Sequence, residues 1–109
     1  MGATKSAVFT FEQNRIAELA KAFAHPARIA IIQYLLKTDA CVCGDIVDAL
    51  PLSQSTVSQH LKEMKKAGII TGNVEPPKVC YCINPEVWQE VKLVFGGLLE
   101  QYNPTGCFN

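Results

Sequence analysis

Apolar residues along this chain recur at two different periods, and the change between them marks its elements. Between positions 11 and 24, Phe11, Ile16, Leu19, Ala20 and Phe23 fall on one side, and Glu12, Arg15, Glu18 and Lys21 fall on the other. This pattern predicts an amphipathic helix over about 11–24. Thr10, followed three positions later by Gln13, has the form of a capping box. His25-Pro26 breaks the run, and Pro26 suits the first turn of a second helix that carries Ile29, Ile31, Ile32, Leu35 and Leu36 and ends near Lys37. His25 reads as a cap for that helix rather than as a ligand. Residues 40–44 read as a short extended segment, and 45–50 as a short helix with Ile46, Val47 and Leu50 inward. Pro51-Leu52-Ser53 is a tight turn, and Ser53 is a good N-cap for a longer helix over about 54–67. Its inward residues are Val57, Leu61 and Met64, and Gly68 stands where a left-handed C-cap is needed.

Beyond Gly68 the period shortens to that of strands. Ile69-Ile70-Thr71 and Val79-Cys80-Tyr81-Cys82-Ile83 predict two strands joined by a turn across 72–77. Asn84-Pro85 caps a last helix over about 86–101, lined by Val87, Val91, Val94, Leu98 and Leu99. Gly96-Gly97 inside it cost about 1 kcal/mol each relative to Ala. They fit a close helix crossing, a kink or an early helix end equally well. Residues 103–109 read as a frayed tail.

A short helix, a tight turn and a longer capped helix make a helix-turn-helix, here over about 45–67. The hairpin that follows, about 69–83, makes it a winged helix. The expected fold is therefore mainly α with a small β-hairpin, in one domain spanning 1–109. A length of 109 residues suits one domain, and a hydrophobic share of 49% is too high for a disordered chain. No apolar run approaches the roughly 20 residues of a membrane span. The first residues lack the apolar core of a signal peptide, so the expected location is cytoplasmic, with no membrane partner.

The helix over 54–67 has the features of a DNA reader. Opposite its apolar stripe it presents Gln54, Ser55, Thr56, Ser58 and Gln59, small or hydrogen-bonding groups suited to a major groove. Gln59 is suited to a bidentate pair with adenine, and Lys62, with Lys65 or Lys66, to phosphates. His60 reads either as a base or phosphate contact or as a polar bridge from helix to wing. The ten basic and ten acidic residues cancel over the whole chain. Their distribution does not: residues 53–78 hold four Lys and two Glu, and the net negative charge lies elsewhere. A two-fold dimer would double that local excess and set two reading helices about one DNA turn apart. No β-α-β pattern or nucleophile–base pair is apparent, so an enzyme is not expected. A protein-docking winged helix is the other non-enzymatic reading.

These residues also carry a resemblance. The stretch Ala24-His25-Pro26-Ala27-Arg28-Ile29, then 50–62 with Ser58, His60 and Leu61, then Ala67-Gly68-Ile69-Ile70, resembles the ArsR/SmtB family of bacterial repressors over about residues 11–101. The resemblance implies a homodimeric winged helix whose first and last helices, here about 11–24 and 86–101, form the interface, with Val8, Phe9, Phe11 and Trp88 adding apolar area. It implies a repressor that leaves a double-stranded operator when an inducer binds, usually a thiophilic metal or metalloid. It carries DNA contact over to Gln54, Ser55, Ser58, Gln59 and His60.

Five cysteines are the remaining anomaly. Four form Cys-x-Cys pairs, Cys41/Cys43 and Cys80/Cys82; the fifth, Cys107, reads as a bystander in the tail. On a helix, residues two apart point about 200° apart. On a strand they share a face, with Cβ atoms roughly 7 Å apart. The segment before the helix-turn-helix commonly pairs with a wing strand, which would bring both pairs together. Such a thiolate set suits As(III) or another soft ion as inducer, with no constitutive cofactor. A thiol–disulfide switch is the alternative, and a repressor whose cysteines are small buried hydrophobes with no effector role is a third. The arsenic-responsive relatives carry Cys-Val-Cys directly before Asp. Here Gly44 intervenes before Asp45, and Ile46 or Val47 stands where those relatives have a third Cys. The family's other site, built from Asp and His in the last helix, has no counterpart, since 86–101 contains neither.

Overall fold

A computed structural model describes residues 8–38, 41–44, 50–75 and 77–104. Among these residues, four helices and three short strands follow in the order α1 (Phe11–Lys21), α2 (Pro26–Thr38), β1 (Val42–Cys43), α3 (Gln54–Ala67), β2 (Ile70–Asn73), β3 (Cys80–Ile83) and α4 (Pro85–Leu99). The fold is mainly helical with one small antiparallel sheet, as expected. The predicted short helix at 45–50 falls almost wholly outside the described residues, as does Cys107.

Local chemistry sets the helix ends. The capping box at α1 is complete: Thr10 Oγ1 accepts from Gln13 N–H, and Gln13 Oε1 accepts from Thr10 N–H, both at 3.0 Å. α1 ends at Lys21, three residues earlier than its apolar pattern suggests, and the chain turns at the fully buried Ala22. Phe11 is 86% exposed in the single chain, on the helix that the resemblance assigns to a dimer interface. His25 caps α2, as read: its Nδ1 accepts from Ala27 N–H at 3.0 Å, and its carbonyl accepts from Arg28 and Ile29. Ser53 Oγ accepts from Thr56 N–H to open α3, and Gly68 closes it in the left-handed conformation. Asn84 caps α4, which begins at Pro85 and runs unbroken through Gly96 and Gly97 to Leu99.

The core lies between α2, α3 and the sheet. Ile31, Ile32 and Leu35 of α2 meet Val57, Leu61 and Met64 of α3 over Ile69, Ile70 and Tyr81. Burying a side chain of this kind stabilises the fold by about 1.5–3 kcal/mol, so this patch holds α3 in place. A bidentate ion pair joins the two terminal helices. Arg15 Nε and Nη2 lie 2.8 and 2.7 Å from the carboxylate oxygens of Glu90. Arg15 raises its own affinity for a proton through this pair and holds the Glu90 carboxyl below the usual range. Arg15, read as a solvent-side residue, is in fact an interhelical tie. Phe23 packs between Trp88 and Phe95 of α4, with ring centroids 6.3 and 6.4 Å away.

The sheet order is β1-β3-β2, so the hairpin gains a third strand. β1 pairs antiparallel with β3 in the register Val42↔Tyr81 and Cys43↔Cys80. Gly44 N–H extends that ladder to Val79 O at 2.8 Å. Gly72 faces Tyr81 across β2–β3 with φ +117°. A Cβ there would strike the Cys80 carbonyl oxygen and lie 2.9 Å from Tyr81 Cα. Gly72→Ala is therefore expected to destabilise the chain by about 2–4 kcal/mol, combining a positive-φ penalty with a backbone clash. Urea unfolding at fixed protein concentration measures this, and a midpoint equal to the parent's would refute it.

Candidate nucleic-acid interface and cysteine cluster

α3 buries one stripe and exposes the other, because its apolar residues recur at helical spacing while polar ones fill the gaps. Val57, Leu61 and Met64 are at most 3% exposed. Gln54, Ser55, Thr56, Gln59 and Lys62 are exposed, and Ser58 and His60 are half-buried. The N-terminus of α3 is a hydroxyl cluster. Ser53 Oγ donates to Thr56 Oγ1 at 2.9 Å and lies 3.3 Å from Ser55 Oγ. The first turn has no acidic residue, and Lys65 and Lys66 occupy the last. This leaves the helix's positive end unopposed by charge, a favourable setting for a phosphate.

Lys62, Lys65 and Lys66 line a groove of about 590 Å³ between α3 and the wing, with Asn73, Val74 and Glu75 on its far wall. Asn73 also shapes the wing turn. Its Nδ2 donates to the carbonyls of Glu75 and Lys78, and its Oδ1 accepts from Glu75 N–H. The sequence marks Asn73 only as a turn residue, so its place in the basic groove was not legible there.

His60 is held inside the chain. Its Nδ1 accepts from Arg28 Nε at 3.0 Å, and its ring lies against that of His25 with centroids 4.4 Å apart. Arg28 Nη1 donates to the carbonyl of Lys21, so the end of α1, the start of α2 and the middle of α3 meet at one point. The bridge runs from α3 to α2 rather than to the wing. Burial, then the charges of His25 and Arg28, lower the His60 pKa from its ordinary value. A histidine held neutral by folding binds its proton more readily when unfolded, so stability falls as pH drops through and below about 6.5. His60→Gln is expected to flatten this part of the stability–pH curve between pH 7 and 5. Urea midpoints across that range test it, and parallel curves for both proteins would refute it.

The sheet brings all four paired cysteines together. Tyr81 is fully buried and faces Val42 across the ladder, so its neighbours Cys80 and Cys82 take the opposite, outer face with Cys41 and Cys43. Two disulfides join them across the strands, Cys41–Cys82 and Cys43–Cys80, with Cα–Cα distances of 4.3 and 4.0 Å. Cys41 and Cys43 are exposed, and Cys80 and Cys82 are half-buried. The convergence expected from strand pairing is present. As the structure stands, no group of three or more His, Cys, Asp or Glu among the described residues is poised to hold a metal ion.

Comparison with known proteins points the same way as the α3–wing geometry. The profile for bacterial regulatory proteins of the arsR family matches residues 25–71, from the His25 cap to the start of the wing. An uncharacterized helix-turn-helix transcriptional regulator of Methanocaldococcus jannaschii is 38% identical over 83 residues, covering 74% of this chain and 92% of that protein. The chain belongs to the arsR family. The transcriptional repressor PagR of Bacillus anthracis is 40% identical over 79 residues, 72% of this chain and 79% of its own length. The transcriptional repressor SmtB of Mycobacterium tuberculosis is 47% identical over 64 residues, 59% of this chain. The chain spans about half (47%) of the length of that SmtB. Members of the arsR family are transcriptional regulators, not enzymes. The family match covers the whole of α3, and with it every DNA-contact candidate of this ArsR-family regulator. Among the described residues, no helix is long and apolar enough to cross a membrane.

Proposed function

We propose that this ArsR-family regulator is a dimeric repressor that binds a double-stranded operator through α3 and releases it when a soft metal ion or metalloid such as As(III) is bound by cysteine thiolates. The observation that carries the DNA reading is the exposed polar face of α3 beside a lysine-lined groove. Gln54, Ser55, Thr56, Ser58 and Gln59 are the base-edge and sugar-phosphate candidates, and Lys62 is the phosphate candidate. The hydrogen bond from Arg28 occupies His60 Nδ1, so any DNA contact by His60 uses the rest of its ring. The repressor names of the PagR and SmtB relatives support the same reading.

Exposed apolar side chains support the dimer. Phe11 is 86% exposed, Leu93 75% and Leu99 73%, on the two helices tied by Arg15 and Glu90. Surface of that kind on paired helices is suited to burial against a second copy.

For the inducer, the donor set supports a soft ion. Four sulfur ligands on one sheet face fit As(III), Cd(II), Zn(II) or Cu(I) rather than a hard cation. When bound, such an ion would be held by Cys41, Cys43, Cys80 and Cys82. It would tie β1 to β3, and β1 lies just upstream of the segment that leads into α3. An ion that binds the two DNA-affinity states unequally shifts the balance between them. The two cross-strand disulfides favour a second reading, in which oxidation itself is the signal.

The test is a gel shift on DNA upstream of the protein's own operon, with the chain fully reduced. A shift at low salt that arsenite reverses, with coupling of about 5–150-fold, is the expected result. Changing Cys41, Cys43, Cys80 and Cys82 together to Ser should keep the shift and abolish the arsenite response. No shift at low salt would overturn the DNA reading. Release by peroxide but not by arsenite would overturn the metalloid reading.

A further inference from the structure

We infer that the disulfides and the soft-ion site are two mutually exclusive states of the same four sulfurs, so that a reductant must open the site before any ion can enter. This rests on the soft-ion reading above and adds its regulation. The register places Cys43 directly opposite Cys80, and continuing it one step places Cys41 opposite Cys82. Both pairs stand on the outer face of the sheet and are bonded across the strands. A sulfur in a disulfide is not a thiolate, and the thiolate is the metal ligand. The same geometry therefore serves either use, but never both at once.

The chemistry balances with ordinary partners. Each closure takes two electrons and two protons from a cysteine pair, and a peroxide accepts them and leaves as two waters. Opening runs by exchange with a dithiol. Its thiolate attacks the exposed Cys41 sulfur, the Cys41–Cys82 bond breaks, and Cys82 leaves as a thiolate that takes up a proton. The second thiol of the reductant then displaces Cys41 and leaves as a cyclic disulfide. Cys43–Cys80 opens in the same way through the exposed Cys43. Four thiols then lie within reach of one ion.

In the closed and the ion-loaded states, β1 and β3 are cross-linked through their side chains. In the reduced, ion-free state, the two-residue β1 is held to β3 by backbone pairing and packing alone. The three states thus place the segment leading into α3 under two degrees of restraint. Oxidation and ion loading share the tighter one.

The experiment uses the full chain with Cys107→Ser, Cd(II) as the probe, and a phosphine reductant removed before titration. The reduced chain is expected to show thiolate-to-cadmium charge-transfer absorbance that saturates at about one ion per chain. The peroxide-treated chain should show none. Its non-reducing peptide map should link Cys41 to Cys82 and Cys43 to Cys80. Cd(II) loading should also protect the chain from closure by peroxide, read as free thiols remaining. An oxidised chain that takes up Cd(II) as the reduced one does, or a loaded chain that closes as fast as a free one, would overturn the inference. If the reduced chain binds Cd(II) but neither disulfide forms, the soft-ion reading stands and the gating falls. If both disulfides form and the reduced chain binds no Cd(II), the soft-ion reading itself fails, and the gating with it.

Discussion

Opening both disulfides is expected to lower the stability of this protein by about 6 kcal/mol, from the loop that each bond closes in the unfolded chain. Cys41–Cys82 spans 41 residues and Cys43–Cys80 spans 37. The second loop lies within the first, so once one bond is closed the other closes a ring of only about six residues and adds roughly 2 kcal/mol. The total therefore falls short of a doubling, at about 6 kcal/mol. In a domain of this size, 1 kcal/mol corresponds to about 4–8 °C in Tm, so the difference is large and easily read. Urea or thermal unfolding at one protein concentration, with and without a phosphine, measures it. The variant with Ser at positions 41, 43, 80 and 82 should unfold like the reduced parent and ignore the reductant. Coincident curves for the reduced and oxidised parent would show that the disulfides place no restraint on the unfolded chain.

Changing Lys62, Lys65 and Lys66 together to Ala is expected to weaken operator binding by about 10²–10³-fold near physiological salt, with little change in stability. These side chains line the groove between α3 and the wing, and all three are exposed. If each meets one phosphate, the slope of log affinity against log salt falls by about 0.9 per lysine. Both numbers come from the same titration, repeated at several salt concentrations. A parent-like slope would remove these lysines from the interface. Gln59→Ala should behave differently. A lost bidentate base contact costs about 1–3 kcal/mol at one base pair and leaves the salt slope unchanged. The two variants therefore separate phosphate contact from base reading on a single operator.

The protein's elements were largely legible in its sequence because helix and strand signals act over a few residues. Thr10 with Gln13, His25 before Pro26, Ser53 and Gly68 each satisfy or end a local hydrogen-bond pattern, and each stands where the structure uses it. The stripe Val57, Leu61 and Met64 names the buried side of α3, and therefore its exposed side as well. Less was legible wherever a residue's partner comes from a distant segment. Arg15 falls on a polar face by periodicity, but Glu90 lies 75 positions away and turns it into an interhelical tie. His60 has no local mark distinguishing a DNA contact from a structural bridge; Arg28 and His25 engage it only once α2 packs against α3. Phe11 matches an inward pattern and is 86% exposed, so its apolar ring is available to the interface that the resemblance implies.

The cysteines divide along the same line. Alternation alone places Cys41 with Cys43, and Cys80 with Cys82, on shared faces, because side chains on a strand repeat every two residues. Which face they take, and which sulfur meets which, is set by register. Register follows from burying Tyr81 and Val42 against the helices, which is a property of the whole core. Local pattern is therefore enough to order the described helices and strands, to name the exposed polar face of α3 and to set the thiols side by side along each strand. The partners across strands come from the packed fold, because burial is satisfied by the assembled core and not by any one segment of it.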